Sequence, residues 1–228
     1  MSDSLPGLRL LQLISPNLPT GAFTYSQGLE WAVECGWIQN KTDTRHWLQS
    51  VLEHSLQTLE LPILLRLLHA VNNNSHAEFQ HWAQWLYASR ETSELRNEEQ
   101  QRARALLMVL KQLPDSEQWP ELENWQTSLR HCQLAGYALA AHHWQIPVKD
   151  LLTGYTWGWL ENTVAAAIKL VPLGQTEGQS LLYRFSTAIN AAVKYASALD
   201  DDAIGASTPA LAIASSLHET QYSRLFRS

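Results

Sequence analysis

Apolar residues recur along most of this chain at intervals of three and four, the period of a helix with one buried face. From Asp43, a candidate N-cap, the stripe runs Trp47, Val51, Leu52, Leu56, Leu59, and Pro62 restarts it as Ile63, Leu64, Leu67, Leu68, Val71. Ser75 opens a helix carrying Phe79, Trp82, Trp85 and Leu86. Ser93 starts a charged helix that turns apolar at Leu106, Leu107 and Leu110. Leu122, Trp125, Leu129, Cys132 and Leu139 mark helix over 121–144. Pro147 suits the first turn of a very apolar helix reaching Leu170. Leu182, Phe185, Ile189, Ala192 and Ala196 trace the last long stripe. No segment alternates with β-branched residues as a half-buried strand does. The pattern predicts an all-α fold of about eight to ten helices. "TVAAAIKL" at 163–170, small on every side, is the expected central helix.

The segments between these stripes, near 72–76, 113–121, 171–178 and 200–207, are short. They read as connections inside one helical domain spanning 1–228. With 45% hydrophobic and 17% charged residues, the composition is that of a globular protein. A net charge of −6 argues against a general nucleic-acid binder, whose phosphate contacts need a basic face. No run is long and apolar enough to span a bilayer, and the N-terminus has no secretory pattern. Cys35 and Cys132 read as reduced thiols, so a cytoplasmic setting is expected. The ten tryptophans read mainly as helix-packing side chains.

Candidate chemistry is thin. His142 and His143 are neighbours that diverge on a helix, and His76 and His81 miss the spacing that aligns ligands. There is no HExxH, no cysteine pair at zinc spacing, no GxSxG, no GxxxxGK[ST] and no GxGxxG. No metal site, catalytic centre or cofactor is therefore assigned. The acids Asp200 to Asp202 read as a solvated turn.

Four segments are polar, aromatic and strongly shaped without a reactive group. They are "SPNLPTGAFTYSQGLE" at 15–30, "RETSELRNEE" at 90–99, "KLVPLGQ" at 169–175 and "ASTPALAIASSLHETQYSRLFRS" at the C-terminus. In the first, Pro16, Pro19 and Gly21 fix an irregular path into a helix at Gly28-Leu29-Glu30, with Phe23 expected in the core. The charges of the second suit a solvated helix face. Lys169 ends an apolar helix and either snorkels or faces a partner. The tail packs Tyr222, Arg224, Leu225, Phe226 and Arg227 into its last residues, the composition of an interface. A tail ordered by a partner is the natural expectation.

"LQLISPNLPTGAFTYSQGLEWAVECGWI", "SRETSELRNEEQQR", "AIKLVPLGQ" and "TPALAIASSLHETQYSRLFRS" resemble, in order and over nearly the whole chain, the UreF urease accessory proteins. Ala103 departs from the glycine common in relatives, a difference local to its helix. The resemblance implies an all-α, homodimeric scaffold or coupling subunit without enzymatic activity. Such a subunit bridges a UreD/UreH-type protein and the GTPase UreG and serves nickel insertion into apo-urease. By position it implies partner contacts at Tyr25, Glu30 and Lys169. It implies them also along the tail at His218, Glu219, Tyr222, Arg224, Leu225, Phe226 and Arg227. Two rival readings stay open from the residues alone. One is a GTPase-activating regulator with Arg90 or Arg96 as an arginine finger. The other is a helical enzyme using His218, Glu219 and Tyr222 as acid, base and orienter.

Overall fold

Residues 4–228 are described here from a computed structural model. They are all-α, with no strand among them. The helices are α1 (Leu5–Leu13), α2 (Leu29–Glu34), α3 (Lys41–Val51), α4 (Leu61–Asn72), α5 (His76–Ala88), α6 (Ser93–Gln112), α7 (Glu121–Asn124), α8 (Gln126–His131), α9 (Gln133–His143), α10 (Val148–Leu170), α11 (Gln175–Ser197) and α12 (Pro209–His218). Buried apolar side chains from Leu13 to Phe226 form one continuous core.

Several boundaries differ from the sequence pattern, each for a local reason. Asn40, not Asp43, caps α3: its side chain accepts from the N–H groups of Thr42 and Asp43. Asp43 instead reaches back to the Gln39 N–H at 3.1 Å. Thr92 caps α6 through its hydroxyl and the Leu95 N–H. Pro62 does not restart the chain. A π-helical stretch, Leu52–Glu60, joins α3 to α4 without a break. Pro62 has no N–H for the Thr58 carbonyl, which accepts instead from Gly205 at 3.0 Å. Residues 121–144 split into α7, α8 and α9, with breaks at Trp125 and Cys132. The long helix after Pro147 runs to Leu170 as its pattern predicts.

The most enclosed helix is α4, nine of whose twelve residues are buried. The small-residue end of α10 is not the centre, because Ala165 and Lys169 face outward there. Of the aromatic side chains, Phe23 departs most from expectation. It sits on a short 3₁₀ turn that Gly21 opens at φ +74° and that buries none of its residues, and it is 60% exposed.

Candidate functional site

The four polar segments singled out in the sequence meet at one place, around the C-terminal residues. Glu30, in the first turn of α2, is buried. Its two oxygens accept from the main-chain N–H groups of Leu225 at 2.6 Å and Phe226 at 2.8 Å. One of them also faces Nε2 of His218 at 3.2 Å. On the other side of that ring, Nδ1 lies 2.8 Å from Glu94 of α6. The second Glu94 oxygen takes Arg224 at 2.8 Å. Glu98, one turn along α6, accepts from the Ser228 hydroxyl at 3.1 Å, Gln27 at 3.0 Å and Arg102 at 2.8 Å. Three carboxylates on two helices therefore hold residues 218–228.

Local geometry on the 15–30 segment makes this possible. Ser26 donates its hydroxyl and its N–H to the Ser228 main-chain oxygen, and Thr24 accepts from the Arg227 N–H. Gly28 has φ +78°, and a Cβ there would lie 2.9 Å from the Ser215 nitrogen of α12. Only glycine lets α2 begin so close beneath α12. The shape of the segment is thus a seat for the C-terminal helix and tail.

Glu219 closes the N-terminus of α6. One of its oxygens accepts from the Ser93 hydroxyl at 2.6 Å, the Ser93 N–H at 2.9 Å and the Glu94 N–H at 3.3 Å. The Ser93 hydroxyl is the main cause holding its carboxyl below the usual range. Four N–H groups are unpaired at any helix start, and a carboxylate there also complements the helix dipole.

The outward side of the tail is different. Phe226 is buried, with Lys169 of α10 5.7 Å above its ring, whereas Tyr222 is fully exposed and Leu225 is 66% exposed. Tyr222, Arg224, Leu225, Lys169, Leu170 and Glu34 line an open groove of about 630 Å³. Arg227 is exposed and Tyr25 half-buried. Of the candidate residues, then, Glu30, His218 and Phe226 are turned inward, and Glu219 is spent on α6. Lys169, Tyr222, Arg224, Leu225 and Arg227 remain on the surface.

The 90–99 segment is not a solvated face. Glu98 and Glu99 are buried, as is Arg90 just before α6. Arg90 bonds Glu99 through Nε and NH2 at 3.0 and 2.7 Å and Glu60 through NH1 at 2.9 Å. Tyr155 donates to Glu60 at 2.6 Å, and the Gln133 N–H donates to Glu99 at 2.7 Å. Burial pushes the Glu60 carboxyl up, but Arg90 and the Tyr155 hydroxyl outweigh it and hold it below the usual range. Burial likewise works against the Arg90 charge, and Glu60 and Glu99 more than restore it. Sequence reading missed this network. Its signal was Glu99 itself, spaced four from both Leu95 and Ala103 on the buried stripe.

The rival chemistries are not assembled. Arg90 is enclosed between two carboxylates, and Arg96 donates to the Arg90 carbonyl at 2.6 Å, so neither projects as a finger. His218 is enclosed between Glu30 and Glu94, Glu219 accepts from Ser93 and the Glu94 N–H, and Tyr222 is fully exposed. His142 bonds Asn72 and His143 bonds Glu121, and their two rings meet edge to face with centroids 5.0 Å apart. Among the described residues no group of three or more His, Cys, Asp or Glu is placed to hold a metal ion. No helix among them is long and apolar enough to cross a membrane. Cys35 and Cys132 are free thiols, exposed and buried respectively.

Fold and site together define an all-helical protein whose polar side chains position its own C-terminal segment and leave an aromatic, cationic surface beside it. Comparison with known sequences gives that class a family. A sequence model of the UreF family matches residues 38–186. A urease accessory protein UreF from Alcanivorax borkumensis is 60% identical over 222 residues, covering 96% of this chain and 97% of the relative. One from Pseudomonas putida is 48% identical over 228 residues and the full length of both. One from Alkalilimnicola ehrlichii is 45% identical over 234 residues, covering 100% of this chain and 99% of the relative. The chain belongs to the UreF family.

Proposed function

We propose that this chain is a scaffold and coupling subunit of urease maturation. It bridges a UreD/UreH-type protein and the GTPase UreG, as a homodimer, so that nickel carried by the assembly reaches apo-urease. It contributes shape and contacts, and the bond-breaking chemistry stays with the GTPase. The observation that carries this reading is full-length similarity to urease accessory proteins of the UreF type. The exposed Tyr222 and Leu225, with Lys169 and Arg224 around the groove, support it as the binding surface. Aromatic and arginine side chains beside an apolar one are the usual composition of an interface core.

Co-expression with a UreD-type scaffold and UreG, read by size-exclusion chromatography with light scattering, tests the bridge. All three chains are expected in one assembly, with UreG lost when this chain is omitted. Equal recovery of a scaffold–UreG complex without this chain would overturn the reading.

A further inference from the structure

One charged donor in the interior lacks an acceptor. Arg102 of α6 gives NH1 to Glu98 at 2.8 Å, but its buried Nε–H meets no hydrogen-bond partner among the described residues. A guanidinium N–H taken from water and left unpaired costs free energy. Arg102 borders an enclosed cavity of about 20 Å³ between α6, α9, α10 and residues 13–27. The wall of that cavity is rich in polar side chains, with Ser15, Gln27, Tyr137 and Asn162 beside Arg102.

Some of these groups are already engaged. Gln27 donates to Glu98 at 3.0 Å and accepts from the Trp159 indole at 3.3 Å. The Ser15 hydroxyl accepts from the Asn17 N–H at 3.2 Å. Asn162 donates to the Gly158 carbonyl at 2.9 Å, and its own amide oxygen is left to accept. Tyr137 meets Tyr155 edge to face with ring centroids 5.3 Å apart, and its hydroxyl both donates and accepts. The cavity therefore offers one strong donor, on Arg102, and acceptors on Asn162 and Tyr137.

That set selects the occupant. An anion would answer Arg102, but Glu98 already neutralises that guanidinium, and an anion has nothing to give an amide oxygen. A cation would be repelled by Arg102. A neutral molecule that accepts once and donates twice satisfies all three groups. A water needs roughly 10–15 Å³ of such space and two to four polar partners, so the cavity holds one.

We propose that this cavity is a binding site for a single structural water, which accepts from Arg102 Nε and donates to the Asn162 amide oxygen and the Tyr137 hydroxyl. The water joins α6, α9 and α10 beneath residues 13–27 and completes the partners of a buried arginine. The site lies within one chain, so it stands or falls apart from the scaffold reading above.

A crystal structure of the full-length protein that shows ordered solvent, with a second crystal under xenon, tests it. One solvent peak is expected about 3 Å from Arg102 Nε, with Asn162 and Tyr137 as its other partners. Xenon, which enters dry apolar cavities, should stay out. A cavity without solvent, xenon inside it, or Arg102 Nε bonded to a protein acceptor overturns the proposal. In solution, ¹⁷O magnetic relaxation dispersion counts waters held longer than the protein takes to tumble. Tyr137→Phe with Asn162→Leu leaves the water one partner, and the count should fall by about one per chain. An unchanged count in the folded double variant overturns the site as well.

Discussion

Two carboxylate clusters lie along α6, and they differ in the side chain that answers them. In the interior, Glu60 and Glu99 share Arg90, with Tyr155 and a main-chain N–H filling the remaining acceptor sites. Near the C-terminus, Glu30 and Glu94 share His218, with Arg224 and two tail N–H groups alongside. Arg90 reaches its two carboxylates through three nitrogens, whereas the His218 ring turns one nitrogen to each of its two. The first cluster ties the π-helical stretch, α6, α9 and α10 into a fixed core. The second fastens one end of the chain, and its outer face, with Tyr222 and Leu225, is exposed. The first cluster is closed on every side, whereas the second has one side at the surface.

The largest expected effect comes from removing the interior cation. Arg90→Ala would leave Glu60 and Glu99 buried and unpaired, and thermal unfolding should show a loss of about 3–5 kcal/mol. An unchanged melting temperature would mean the interior pair is not what joins these helices. Acid should act on the same cluster. The Glu60 carboxyl is held below its ordinary value, so its contribution is present above that value and is lost as pH falls through the depressed one. Denaturant midpoints measured down through the carboxylate range should therefore fall, and less steeply once Tyr155→Phe removes a donor to Glu60. A smaller and more local effect is expected at the clamp. Glu30→Gln should open residues 218–228 by about 1–3 kcal/mol in hydrogen exchange, with α4 protection retained. Equal loss in both regions would erase the distinction between them.

The helices were legible in the sequence wherever one face alone is buried. Leu182, Phe185, Ile189, Ala192 and Ala196 are all buried on α11, as their spacing requires. Breaks were less legible, because they depend on contacts distant in sequence. The helix runs through Pro62 because Gly205 supplies the hydrogen bond that proline cannot. The π-helical stretch that precedes it leaves no mark in a three-four pattern. Phe23 read as core by its hydrophobicity, yet Gly21, at φ +74°, opens the 3₁₀ turn that leaves it outside. The site was legible as four unusual segments but not as one place. Nothing in the sequence spacing says that Glu30 meets residues nearly two hundred positions later. Glu98 and Glu99 looked like solvated charges because some of the groups they accept from, on Gln27, Gln133 and Ser228, lie far away in the chain.

The smallest effect on stability should accompany the clearest effect on function. Tyr222 and Leu225 are exposed, so Tyr222→Ala with Leu225→Ala should leave unfolding within about 0.5 kcal/mol of wild type. Titrating this double variant against a purified UreD-type scaffold, beside the wild-type chain, tests most directly whether the clamp exists to present that face. The account predicts affinity weaker by roughly tenfold or more, as for anchors at an interface centre, with unchanged melting. Wild-type affinity in the double variant would contradict it and assign the partner surface to another part of the molecule.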